Sequence, residues 1–309
     1  FIDAWLQMPS SSNHTILKNF FLIACLLSLG AACVSGKNRD FYQMIAPLGR
    51  WLLLIMYFFG VFHKVNTDFL NVESSCAVAL WHKMPKVFQG LYTPLLGLLI
   101  SYGTLVTESV LMLFLLTARF RSWGVLLGVA FHGFLAISSY AFYLPFSTLT
   151  IALHVLFISP ASAERIVASK DWRQLIAFIR SKTGFLCVLL WFGVIYFLAF
   201  AEHYSSAGIM WLLGVATTLR VLIRGGLLQD APSNNNIWDF GELRCKVKAL
   251  YIVPLLFFFN CFAPYLGLKT AQSMNMFANL RLEGGVSNHL ILSSAPGPFR
   301  YLEDLVEIH

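Results

Sequence analysis

Between Thr183 and Ala201 the chain runs through nineteen residues, TGFLCVLLWFGVIYFLAFA, without one charged side chain. About 20 apolar residues suffice for a helix to cross the hydrocarbon core of a bilayer. Within that core each backbone N–H and C=O must find a partner inside the protein, so only helices and closed barrels cross it. The apolar runs of this chain are continuous and do not alternate in strands of about 10 residues, which rejects an outer-membrane barrel. Comparable runs are Ile16–Ser35, Ile45–Phe62, Pro94–Thr117, Trp123–Tyr140, Pro145–Ile158, Ala207–Ile223 and Ala249–Leu268. The predicted fold is therefore all-α: a polytopic integral membrane bundle of about eight segments. The fifth, set off by Pro145, is short or re-entrant.

Composition agrees. Of 309 residues, 58% are hydrophobic and only 12% charged, against about 25% charged in a soluble domain. There is too little polar surface to cover a globule in water, so membrane lipid is the expected covering. The net charge of +7 reads as Lys- and Arg-rich cytoplasmic loops. No basic run is interleaved with exposed aromatics, so no nucleic-acid partner is expected.

Charge also predicts orientation. The loop 159–182 carries Arg165, Lys170, Arg173, Arg180 and Lys182, and the stretch 220–248 carries Arg220, Arg224, Arg244, Lys246 and Lys248. Glu202–Ser206 between them has neither Lys nor Arg. The basic loops are expected inside, with Arg119, Arg121, Lys37 and Arg39. Lys64, His14, Glu202, His203 and the tail after Leu268 are then expected on the non-cytoplasmic side. Two regions follow: a bundle over residues 1–268 and a small extramembrane segment over 269–309. Gly284-Gly285 and Pro296-Gly297-Pro298 mark the latter as turns and short strands. Phe1–Met8 read as the tail of an apolar segment, so the chain is expected to begin inside a larger protein.

Few polar groups are left to carry chemistry. Phe62-His63-Lys64-Val65-Asn66-Thr67-Asp68 directly follows an apolar run. A Lys at a helix end often only snorkels to the interface. Here an amide and a carboxylate follow at once, and a Lys in an apolar pocket is a competent general base. His63, Asn66 and Asp68 are its polar neighbours. Asn13-His14 opens the first span. His132 lies inside an apolar run, where burial demands a hydrogen-bond partner, and His154 reads likewise. Lys269 to His289, with Asn279 and Arg281, leaves the last span on the same expected face as Lys64. Glu108 sits mid-span, where a carboxylate is costly, and is either neutral, paired within the bundle or functional. The histidines lack metal-ligand spacing and the six cysteines form no CxxC, so no metal is expected. The cysteines read as small buried hydrophobes.

These residues resemble a family. Gly49-Arg50-Trp51-Leu52 and Tyr57 through Phe69, with an Arg opening a helix that ends in Lys64, are similar to the central segment of the vitamin K-dependent γ-carboxylase. Asn13-His14 resembles its Asn-His pair, and Phe131-His132 followed by Phe142 its Phe-His helix. Ala263-Pro264-Tyr265 and Met276 through Arg281 resemble the end of its membrane region. Phe277 through Gly285, with Ser287 to Leu290, resembles most closely the bacterial relatives called horizontally transferred transmembrane (HTTM) proteins. The resemblance runs along nearly the whole chain. It implies a carboxylase-like lyase in a bacterial inner (plasma) membrane, with reduced vitamin K or another quinol as cofactor. In that chemistry a Lys, matched by Lys64, deprotonates the quinol. Reaction with O2 gives a strong base that removes a glutamate γ-proton, and CO2 adds. Asn13, His14, His132 and Tyr265 are implied around the cofactor. Three departures stand out: the family's doubled Lys is His63-Lys64 here, and neither its long luminal half nor its opening helices lies within residues 1–309, so the expectation is either a longer protein or one that works without that half.

Two functions compete. One is a quinol-dependent enzyme with Lys64 as base and a peptide substrate. The other is a non-catalytic membrane subunit that holds partner proteins or lipid. A transporter is disfavoured, because no inverted repeat and no matched pair of broken helices occurs.

Overall fold

The computed structural model describes residues 12–35, 41–229, 240–270, 272–275, 277–294, 297–299 and 301. The expectations for Phe1–Met8, Lys37, Arg39, Met276 and Pro296 lie outside the described residues.

The described regular structure is helical: α1 Asn13–Ser35, α2 Phe41–Phe62, α3 Thr67–Leu70, α4 Cys76–Trp81, α5 Lys86–Gln89, α6 Pro94–Leu116, α7 Arg121–Leu135, α8 Tyr143–Val155, α9 Pro160–Ala168, α10 Lys170–Arg180, α11 Lys182–Phe200, α12 Tyr204–Arg224 and α13 Ile252–Phe262. Among the described residues six helical stretches are long and apolar enough to cross a membrane: Asn13–Val34, Phe41–Phe62, Pro94–Leu116, Lys182–Phe200, Tyr204–Gln229 and Lys248–Leu266. A seventh is available if α8 and α9, bent by 103° at their junction, form one broken span. The run Trp123–Tyr140 does not stay helical, because α7 stops at Leu135. There the chain turns, and the Ser139 N–H and hydroxyl both donate to the Lys83 carbonyl, at 2.7 and 2.9 Å. At 1.5 Å per residue α7 is about 22 Å long, short of a hydrocarbon core of about 30 Å.

The chain divides into two compact units. The first comprises residues 1–82, 92–112 and 240–309. Its centre is α2, packed between α1 and α13. Ala24, Ala32, Met44, Ile45, Leu48, Leu250 and Val253 form one buried cluster, and Phe20 meets Phe257 at 5.2 Å. Arg50 is buried inside α2 and would be intolerable alone. Its guanidinium donates to the Glu242 carbonyl and pairs with the Glu242 carboxylate at 3.5 Å.

The second unit comprises residues 83–91 and 113–239. In it α7 pairs with α8 and with α12, and α12 with α11. Trp191 stacks on Trp211 at 5.7 Å. Along α11 only Gly184 and Ile195 are buried, while Leu190, Tyr196 and Phe200 are 70%, 73% and 78% exposed. Water would penalise such a surface by about 25 cal/mol for each apolar Å², whereas lipid does not. The architecture is that of a membrane protein.

Among the described residues the C-terminal segment forms no strand. One isolated antiparallel bridge, Asn66 with His289, stands where short strands were expected. Positive φ at Gln272, Met274, Phe277, Asn279, Gly284 and Gly285 interrupts every extended run.

Candidate functional site

Helix α2 buries its apolar length and delivers Phe62, His63 and Lys64 at its end. Lys64 is only 6% exposed. Its Nζ donates to Glu108 Oε2 at 2.6 Å, across 44 residues of sequence, and lies 5.9 Å from the Phe69 ring centre. Glu108 is carried by α6, and its side chain is 15% exposed. Glu108, weighed in the sequence as paired or functional, is thus the partner of the Lys predicted as base. Charge pairing is what makes each tolerable away from water.

Next to this pair lies a polar–aromatic cluster. The His63 ring is fully buried, 5.2 Å from Phe59 and 5.5 Å from Tyr265. Burial pushes His63 down to about 3; the backbone of Met274 and Cys261 opposes this, while Lys64 and His289 add to it. Neither ring nitrogen makes a hydrogen bond of regular geometry among the described residues. The Tyr265 hydroxyl also has no partner there. His289 completes the cluster, 4.7 Å from Phe62 and 5.8 Å from Tyr265. Its Nδ1 accepts from the N–H groups of Ile291 and Leu292, at 3.1 and 3.2 Å. That assigns the proton to Nε2, which donates to the Phe62 carbonyl at 2.9 Å. Burial lowers the His289 pKa.

The remaining predicted outer-face residues bind the tail to the loop after α2. Asn66 is fully buried. Its Oδ1 caps α3 by accepting from Phe69 N–H at 2.8 Å, and its Nδ2 donates to the carbonyls of His63 and Ala278 at 2.7 and 2.6 Å. Asp68 pairs with Arg281. Asn279 accepts from Cys76 N–H and donates to the Ser74 carbonyl, at 2.8 and 2.9 Å. Asn13 reaches the same tail, accepting from Met274 N–H at 2.9 Å. His14 bonds to the Ser12 hydroxyl at 2.7 Å through Nδ1.

His132 sits in the second unit. Its ring centre is 5.4 Å from Phe146 and 5.6 Å from His154, and His154 Nδ1 lies 2.7 Å from the Thr150 carbonyl. Among the described residues no three His, Cys, Asp or Glu side chains converge as a metal site requires. Sequence reasoning weighed Glu108 but did not place it beside Lys64, and it gave His289 only as the end of the polar stretch 269–289. A carboxylate inside an apolar run was the available signal for Glu108; His289 carried none beyond its place in the tail.

The arrangement offers a buried amine and carboxylate in direct contact, beside aromatic rings and two buried polar side chains without hydrogen-bond partners among the described residues. No protein-family model matches the chain, and no curated protein or solved structure matches it either.

Proposed function

We propose that this chain is a γ-carboxylase-like membrane protein of the HTTM type, in which Lys64 acts as general base toward a lipid-soluble quinol. The observation that carries this reading is the buried Lys64–Glu108 pair, 2.6 Å between Nζ and Oε2. Glu108 Oε2 is placed to receive a proton from Lys64 Nζ, and an amine freed in this way is the form a general base needs. The surrounding residues fit a quinol: Phe59, Phe62 and Tyr265 supply apolar rings, and His63 and the Tyr265 hydroxyl supply buried polar atoms without hydrogen-bond partners among the described residues. A quinol, when bound, would supply an acidic hydroxyl and, with O2, a base stronger than any side chain. In this reading the bundle crosses a bacterial inner membrane, with Lys64 and the tail on the non-cytoplasmic side. The distribution of Lys and Arg supports that orientation.

A specific observation favours the second reading, a non-catalytic subunit. Asn66, Asp68, Asn279 and Arg281 are engaged in joining tail to loop, as structural residues are.

The test reconstitutes the chain in vesicles with chemically reduced vitamin K, O2 and bicarbonate, and follows quinol oxidation by mass spectrometry. Lys64→Ala alone strands a buried carboxylate, at a cost of about 3–5 kcal/mol, so Lys64→Met/Glu108→Gln is the informative variant. Oxidation by the parent chain should fall by about 10²-fold or more in the double variant, the usual worth of a general base. Equal oxidation by both, or none by the parent, refutes the base assignment. A quinone in lipid extracts of the purified protein supports the enzyme; its repeated absence supports the subunit.

A further inference from the structure

The second unit carries a basic, amphipathic surface that the carboxylase reading does not use. Helix α10, KDWRQLIAFIR, places Trp172, Leu175, Ile176 and Ile179 along one side at helical spacing and Lys170, Arg173, Gln174 and Arg180 along the other. No residue of α10 is buried. After Ser181, which caps the next helix by accepting from Gly184 N–H at 3.0 Å, α11 begins its apolar course. Nineteen residues at 1.5 Å each extend about 28 Å, the thickness of a hydrocarbon core. The start of α11 therefore lies at the membrane surface, and α10 lies at the same level. The bend of 103° between α8 and α9 turns the chain from the direction of a span toward the plane of the bilayer. Helix α12 returns its basic end to this place: Asp171 pairs with Arg220 at 3.1 Å and with Arg224 at 3.8 Å.

Charge is lopsided there. Residues 159–182 with 220–224 hold seven Lys and Arg against Glu164 and Asp171. Asp171 is already shared between two arginines, and among the described residues Lys170, Arg173, Arg180 and Lys182 are exposed with no acidic partner. Beside them Val167 and Phe178 are 53% and 48% exposed. A soluble acidic protein would match the cations but not these apolar groups at interfacial depth. The apolar side of α10 is half-buried, and its exposed side carries cations at headgroup level beside exposed apolar groups at the acyl boundary, which matches an anionic bilayer surface.

We infer that α10, with the basic ends of α11 and α12, is an in-plane docking surface for anionic phospholipid headgroups. Lys170, Arg173 and Arg180 hold the phosphates, and Phe178 and Val167 insert among the acyl chains.

The test uses the full chain in phosphatidylcholine vesicles with spin-labelled phosphatidylglycerol or spin-labelled phosphatidylcholine, and reads the motionally restricted fraction of each. The parent protein should prefer phosphatidylglycerol by at least about fivefold at low salt, the fold-change of one basic residue near an anionic surface. The preference should shrink as salt is raised. The variant K170Q/R173Q/R180Q should bring the ratio close to one, while K170R/R173K/R180K and K246Q/K248Q keep it. No preference in the parent, a preference that survives K170Q/R173Q/R180Q, loss in the charge-preserving variant, or loss only in K246Q/K248Q overturns the assignment.

Discussion

His63 is a residue whose environment sets a measurable pH dependence. Its ring is fully buried between Phe59 and Tyr265, and burial pushes its pKa from 6.5 to about 3. The folded protein therefore holds it neutral, while the unfolded chain takes up a proton near pH 6.5. Above that pH neither state is charged and His63 adds no pH dependence. As pH falls below 6.5 the unfolded state gains a proton that the folded state refuses, so stability drops by about 1.4 kcal/mol per pH unit. The loss levels off near pH 3, where the folded form also protonates. Between pH 7 and pH 5 the His63→Leu protein should lose about 2 kcal/mol less than its parent. Thermal unfolding in neutral detergent at both pH values measures the difference, and identical pH slopes in the two proteins would contradict the buried neutral imidazole. His289, also lowered by burial, leaves a residual slope in both. None of this was legible in the sequence, where His63 read only as a polar neighbour of Lys64. Phe59 lies one helical turn before it, but Tyr265 comes from about two hundred positions later in the chain.

At the scale of elements, close approach between helices decides which substitutions matter. A Cβ on Gly128 of α7 would lie 2.0 Å from His154 Nε2 on α8. That imidazole cannot swing aside cheaply, because it is fully buried and bonded to the Thr150 carbonyl. Gly128→Ala should therefore destabilise the protein by about 1–3 kcal/mol, as overpacked cores do. A Cβ on Gly103 of α6 meets nothing within 4 Å, so Gly103→Ala should be neutral or stabilising by up to about 1 kcal/mol. Thermal unfolding of the two variants side by side is the check, and equal melting shifts would contradict the α7–α8 packing. Hydropathy made the long helices legible, since a run of about 20 apolar residues has few alternatives in lipid. It misjudged α7, because Ser138-Ser139-Tyr140 costs little on a hydropathy average. The turn there is set by the Lys83 carbonyl, more than fifty positions earlier in the chain. Short helices and bends depend on such remote partners, and local composition does not contain them.

For the molecule as a whole, the first unit is closed by contacts between positions more than 200 apart in sequence. Thr67 N–H donates to the Asn288 carbonyl at 3.0 Å and Leu290 N–H to the Val65 carbonyl at 2.9 Å. Asn66 sits at the centre, capping α3 while its amide reaches His63 and Ala278. The sequence indicated that the loop after α2 and the tail share a face, by counting charges, but not that one buried amide joins them. Asn66 and Asn279 look alike in a polar loop; only the fold distinguishes a buried hub from a rim contact. The Arg281–Asp68 pair belongs to the rim, with the Arg side chain 70% exposed, and exposed pairs contribute roughly 0–1 kcal/mol. Asn66→Ala leaves two carbonyls and one N–H without partners in a buried site, at about 1–3 kcal/mol for each group left unsatisfied. It should detach the tail locally: peptides covering 278–294 should exchange their amide hydrogens at least about tenfold faster, the equivalent of 1.4 kcal/mol. Arg281→Ala should leave that exchange nearly unchanged. Hydrogen exchange by mass spectrometry on both variants discriminates the two roles. If Arg281→Ala loosened the tail as much as Asn66→Ala did, the segment would be held by charge at the rim, and the tail could part from the Lys64 end of α2 with a change in salt alone.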